Sequence, residues 1–237
     1  MYADDLRRIA RDGATDLDVA RVDALARYAA ELHQPLHDPV AYRRAVRDLI
    51  GHGEGIFGII DGYPHDTPGA PRERLREIER RCADWRWRLR EREPRLTTTH
   101  GAFHPFNVVF RDDLDFTVLD ASRGACGDPA DDVTAMMINY LLFAIDDAGA
   151  WRRGLRNLWH RFWLGYLHAR SDEALFAVAP PWLAWRALVV CNPRFYPQMT
   201  DRARDRMLGF AERVLDAGRL EPMSADGVFE TGASRAA

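Results

Sequence analysis

Apolar residues recur every three to four positions through residues 15–32, at Val19, Val22, Leu25, Ala29 and Leu32, with charged residues between them. That period places one stripe along a helix. Thr15 or Asp16 is positioned to cap it and Pro35 closes it. A second helix opens at Asp38-Pro39, the favoured cap and first-turn residues, with Tyr42, Val46, Leu49 and Ile50 on its apolar face. The pattern predicts a long helix over 71–93, its buried stripe formed by Leu75, Ile78, Cys82, Trp85 and Leu89. The arginines of that helix are matched by nearby acids, so its outer face reads as salt-bridged and solvated. Between the second and third helices lies "GHGEGIFGIIDGYPHDTPGAP", read as a loop. Gly51, Gly53 and Gly55 lack the spacing of a phosphate-binding loop and follow a helix instead of a strand, so a shaped substrate or packing loop is expected.

At residues 106–120 the period changes. "FNVVF" and "DFTVLD" are short β-rich runs joined by the polar turn "RDDLD", the signature of a hairpin. Helices then resume over 131–143, 151–169, 173–191 and 201–217. Pro180-Pro181 is expected to interrupt the third of these, and Gly218 to end the last. The aromatic stripe from Trp159 to Tyr166 reads as core. The expected fold class is α+β, mostly α, with helices packed around one hairpin. One lobe over residues 1–220 and a frayed tail over 221–237 are expected.

Composition narrows the function classes. A formal charge of −3 with interspersed signs gives no basic footprint for nucleic acid. The start, "MYADDLRRIARDG", is too charged for a signal peptide, and the apolar run near 136–145 is too short to span a bilayer. A soluble, cytoplasmic protein with neither nucleic-acid nor membrane partners is expected. Cys82, Cys126 and Cys191 are sparse, odd in number and read as small buried residues. All 33 basic residues are Arg, so no step can use a Lys.

The chemistry gathers around the hairpin. Asn107 opens the first strand and Asp120 closes the second, so an antiparallel pairing brings an amide oxygen and a carboxylate together at the open end. Such hard oxygen donors suit Mg²⁺ when phosphates and water complete its shell. Upstream runs His100-Gly101-Ala102, then His104-Pro105; downstream runs Gly127-Asp128-Pro129, then Asp132. A different reading makes His100, His104, Asp120 and Asp128 the ligands of a hydrolytic metal, although Pro105 and the loop context are unlike a helical His pair.

Taken in order, "HGAFHPFNVVF…FTVLDASRGACGDPADDV" resembles the aminoglycoside phosphotransferase-like kinases, a protein-kinase-like family that includes choline kinases. Their motif is HGDxHxxN, a metal-binding Asp, then GDPxxD. "ALARYAAELH" resembles the family's helix after the hinge, and the later helices its large C-terminal lobe. The resemblance implies that Asn107 and Asp120 hold Mg²⁺ against ATP, that Asp132 braces the catalytic loop, and that His104 lies near the transferred phosphate. Asp128 belongs to the same structural motif. It further implies a hydroxylated, often cationic small-molecule acceptor, for which Asp61, Asp146 and Asp147 are candidate contacts.

Two departures stand out. The family's catalytic Asp falls on Ala102, which cannot accept the acceptor's proton; His104, with an ordinary pKa near 6.5, is the nearby substitute. The sequence also begins near the family's hinge, without the β-rich N-terminal nucleotide lobe and its Lys. The expectation is therefore a phosphotransferase-family protein impaired or inactive in this form. The alternative is a non-catalytic pseudokinase lobe that binds a metabolite or partner. An open lobe face would favour self-association.

Overall fold

The computed structural model describes residues 1–121 and 125–230. The chain opens with α1 (Tyr2–Asp12) and α2 (Asp16–Leu32), followed by α3 (Pro39–Gly51), the short α4 (Ile56–Asp61) and α5 (Arg72–Arg90). Then come β1 (Thr97–Thr98), the hairpin β2 (Val108–Phe110) and β3 (Phe116–Val118), and β4 (Cys126–Gly127). The remainder is α6 (Pro129–Leu142), the single turn α7 (Ala148–Ala150), α8 (Arg156–Arg170), α9 (Leu175–Cys191) and α10 (Asp201–Ala217). The architecture is α+β and mostly α, as the periodicities predict.

The caps follow the sequence. Thr15 accepts from the Asp18 amide while Asp18 accepts from the Thr15 amide, a reciprocal capping box that starts α2. Asp38 caps α3, with Pro39 in its first turn. The core runs between α2, α6, α8 and α9, where Trp159, Trp163, Tyr166 and Phe162 of α8 are buried against their neighbours.

Three expectations need correction. First, α9 runs unbroken through Pro180 and Pro181. Proline removes the N–H that would bond the carbonyl four residues back. The carbonyl that Pro180 leaves unpaired, that of Phe176, accepts instead from the Leu220 amide at 2.9 Å. Second, the chain past Leu220 is docked rather than frayed as far as Glu230. Pro222–Val228 forms a 3₁₀ segment. Phe229 stacks on Trp151 at 4.7 Å, and Asp226 accepts from the Trp151 indole and from Arg156. Residues 231–237 of the expected tail lie outside the described residues. Third, the glycine-rich segment after α3 is not all loop, since it contains α4. Two of its glycines are packing residues: a Cβ on Gly55 would run into the carbonyl of Asp48, and one on Gly58 into that of Gly53.

The two-stranded pairing of β1 with β4 was not anticipated. Thr97 lies opposite Gly127 and Thr98 opposite Cys126. This joins the entrance of the central loop to the start of α6. The same corner is locked by Arg95, which forks onto Asp128 at 2.8 and 2.9 Å and reaches Asp172 at 2.6 Å. Asp128 also accepts from the Tyr42 hydroxyl and the Ala130 amide. Arg95→Lys keeps the charge but cannot fork over both carboxylates. It is expected to cost about 1.5–3 kcal/mol, the range for hydrogen bonds to charged groups. Urea denaturation measures this, and an unchanged midpoint would show that the fork adds nothing to the point charge.

Candidate active site

The loop between β1 and β2 is held from beneath. Asp132, in the first turn of α6 and fully buried, accepts from the His100 amide at 2.6 Å and the Gly101 amide at 2.8 Å. His33, at the end of α2, places Nε2 3.2 Å from the same carboxylate and Nδ1 2.8 Å from the Tyr166 hydroxyl. Burial works against ionising Asp132, but His33 and the two loop amides hold its carboxyl below the usual carboxylate range. Gly101 sits at φ 78°, a left-handed conformation that glycine adopts without penalty.

Asn107 lies at the end of a 3₁₀ turn, Pro105–Asn107, immediately before β2. Its side-chain nitrogen donates to the Ala102 carbonyl at 3.0 Å and lies 3.3 Å from His104 Nε2. With the nitrogen engaged on both, Oδ1 is the amide atom left to act as a metal ligand. In this arrangement His104 Nε2 accepts from Asn107, so the nitrogen that would serve as a base is braced against the loop. His100 Nδ1 receives the Ala102 amide at 3.3 Å, and His100 Nε2 is buried without a hydrogen-bond partner.

The hairpin register brings the two expected metal positions to one end. Val108 faces Val118, and the Leu119 amide donates to the Asn107 carbonyl at 2.8 Å. Asp120 follows directly. Its φ is 60°, one of two positive values at non-glycine residues among those described. The other, Ser171, ends α8 as a left-handed cap, whereas Asp120 ends no helix. A left-handed backbone at such a position is a strain that functional sites retain.

Two cavities flank this loop. One, of about 620 Å³, is lined by Ala102, His104, Phe106, Asn139, Arg186 and Tyr196 among others. The second, of about 680 Å³, is lined by Asp120, Gly127, Asp131, Arg44 and Trp182 among others. Gly101 and Glu54 border both. Ala102 is therefore at the wall of the first cavity and Asp120 at the wall of the second, with the loop between them.

The proposed acceptor carboxylates are not there. Asp146 accepts from Thr200, Asp147 caps the turn at α7 and pairs with Arg153, and Asp61 lines a separate hollow beside Tyr63 and His65. All three lie off the Ala102 cavity, because the turn after α6 and the end of α4 direct them elsewhere. The carboxylate at that cavity is Glu54, which the glycine-rich loop conceals in sequence. Arg186 was also missed. It pairs with Asp131 and lies 3.8 Å over the Trp185 ring. No local signal links residues 131 and 186; only the packing of α6 on α9 does.

The hydrolytic-metal reading fails on geometry. Both oxygens of Asp128 are taken by Arg95, Tyr42 and the Ala130 amide. Among the described residues no three His, Cys, Asp or Glu side chains gather so as to hold a metal ion. Asn107 Oδ1 and the Asp120 carboxylate are hard oxygen donors, the kind that suits a hard cation whose other ligands come from phosphate and water. Of the cysteines, Cys82 and Cys191 are buried, which pushes both thiols well above their usual range. No described helix is long and apolar enough to cross a membrane.

No family model and no curated protein matches the chain. Solved structures do. A glucosamine kinase in complex with glucosamine, ADP and inorganic phosphate superposes with a TM-score of 0.61 at 18% identity, over 91% of this chain and 61% of its own. Crystal forms A and B of glucosamine kinase match with TM-scores of 0.50 at 19% and 20% identity, over 96% of this chain and 53% and 56% of theirs. The chain thus spans between half and about three fifths of the length of these neighbours. The likeness establishes the fold, that of a small-molecule kinase.

Proposed function

We propose that this chain is the catalytic and acceptor lobe of an aminoglycoside phosphotransferase-like protein, built for phosphoryl transfer from ATP to a hydroxyl of a small molecule. The observation that supports the reading is the hairpin register, in which the Leu119 amide donates to the Asn107 carbonyl, so that Asp120 is the next residue beyond that pair at the open end. Asn107 Oδ1 and the Asp120 carboxylate would hold Mg²⁺. When bound, that ion neutralises charge on the phosphates of the nucleotide. The chain's own groups fix the geometry. Asp132 fastens the loop through two amides, and Asn107 is oriented by the Ala102 carbonyl and His104. The cavity at Ala102 receives the acceptor, a hydroxylated and often cationic molecule, with Glu54 as its carboxylate.

Ala102 supports a second reading, a lobe that binds without turnover. A methyl group cannot take the proton of an acceptor hydroxyl, and a positioned base contributes roughly 10²–10⁴-fold. Nucleotide binding, where the lobe has it, requires the Asn107 and Asp120 oxygens. Calorimetric titration with Mg-ATP should show binding that Asn107→Ala and Asp120→Ala each weaken at least tenfold, while far-UV circular dichroism stays unchanged. Absence of heat at millimolar nucleotide would remove any ATP-linked role for the lobe.

A further inference from the structure

Away from the loop, five arginines surround one surface hollow of about 280 Å³: Arg43, Arg44 and Arg47 of α3, and Arg86 and Arg90 of α5. Val40 and Val46 complete the wall, and no carboxylate lines it. Arg43 pairs with Glu93 at its edge, and Arg47 approaches its neighbour Asp48 at 3.3 Å. Arg44, Arg86 and Arg90 have no ion pair among the described residues.

This grouping is costly. Arg43 with Arg47, and Arg86 with Arg90, are like charges one helical turn apart, an arrangement that destabilises a helix. The same α5 shows the usual remedy a few turns earlier: Arg80 pairs with Glu77 and Asp84, and Arg81 with Glu77 and Asp216. Arg90 gains from the α5 dipole, since it lies in the last turn. The α3 arginines have no such compensation, because none occupies that helix's last turn. Trp87 adds a second oddity. It is 60% exposed, and the Arg86 and Arg90 guanidiniums lie 5.2 and 5.3 Å from its ring. The indole thus holds the two unpaired cations at the rim of the hollow.

We propose that this hollow is a binding site for a compact polyanion carrying phosphoryl groups. Guanidinium forks match phosphoryl oxygens in pairs, and each terminal phosphoryl group brings close to two charges at neutral pH. A di- or triphosphate therefore supplies, in one small ligand, the charge that three unpaired arginines lack. The hollow shares Arg44 with the Asp120 cavity, whereas Arg86 and Arg90 line neither that cavity nor the one at Ala102, so a variant of Arg86 and Arg90 separates this site from the loop.

The test titrates inorganic tripolyphosphate into the full chain and follows tryptophan fluorescence, with Trp87→Phe identifying the reporting ring. The expected result is a saturable change, lost in Trp87→Phe, with affinity reduced at least tenfold in R86E/R90E. A matched control, R11E/R152E, alters net charge equally at exposed arginines elsewhere and should bind as the parent does. Equal loss in both double variants would reduce the effect to overall charge and overturn the proposal, as would no saturable binding. Co-sedimentation with vesicles carrying a phosphorylated inositol headgroup, against phosphatidylcholine alone, identifies the source of the anion. Pelleting that R86E/R90E abolishes assigns a lipid headgroup; tripolyphosphate binding without pelleting assigns a free anion.

Discussion

Asp132→Ala should destabilise the chain by about 3–5 kcal/mol, the cost of breaking a buried charged cluster by removing one partner. The carboxylate is fully buried, and its loss strands two loop amides and one edge of His33 in a space without water. For a domain of this size each kcal/mol moves the melting temperature by roughly 2–4 °C, so scanning calorimetry would read a drop of about 6–20 °C. Asp132→Asn retains the shape but turns an amide NH₂ toward an N–H donor, and should cost about 1–3 kcal/mol. A loss below about 1 kcal/mol for the Ala variant would show that the loop is held by the hairpin and not by α6.

The same carboxylate fixes the sign of a pH effect. Its pKa is lowered in the folded chain, so the folded state binds its proton less readily than the unfolded state does. The stability it contributes is therefore complete above the unfolded value of about 3.9. It is lost as pH falls through the lower folded value. The difference in stability between the parent and Asp132→Asn should shrink as pH falls below about 4. A difference that grew over that range would contradict the assignment of the ionised carboxylate to this role.

Asp132 also illustrates what the sequence makes legible. The resemblance of Gly127-Asp128-Pro129 and Asp132 to the family motif implies a brace, and Asp132 does accept from the His100 and Gly101 amides some thirty residues away. The α2 and α10 boundaries are legible for a local reason: Thr15 and Gly218 act on their own neighbours. What fails to show is what depends on distant partners. Pro180-Pro181 reads as a break until Leu220, some forty residues on, supplies the missing donor to Phe176. The tail reads as loose until Trp151 and Arg156 are placed beneath it. Arg186 and Glu54 reach the cavity wall only through the packing of α9 and the glycine loop. The arginine hollow is hidden because α3 and α5 are far apart along the chain, and their arginines meet only on the surface the two helices share. The left-handed backbone at Asp120 leaves no trace in residue type, since Asp is common in ordinary turns.

Ala102→Asp should raise acceptor-dependent turnover by about 10²–10⁴-fold, equivalent to about 3–5 kcal/mol of barrier, if the missing base is what limits this chain. The position is ready for it. The Ala102 carbonyl is held by Asn107 and its amide by His100, so a new side chain does not re-aim the backbone. Ala102 is 3% exposed and lines the cavity, which gives a carboxylate there its route to the acceptor. His104 does not already fill the role, because its Nε2 is engaged with Asn107. Ala102→Asn is the control: it matches the size of Asp but cannot take a proton, and should leave turnover at the parent level. A gain shared by Asn would assign the effect to orienting the acceptor. No gain in Ala102→Asp, with Mg-ATP still bound and the melting temperature preserved, would leave the non-catalytic reading as the one that fits. The chemistry of residue 102 would then matter less than what covers the nucleotide, since phosphoryl transfer depends chiefly on fixed positive charge and alignment around the phosphates.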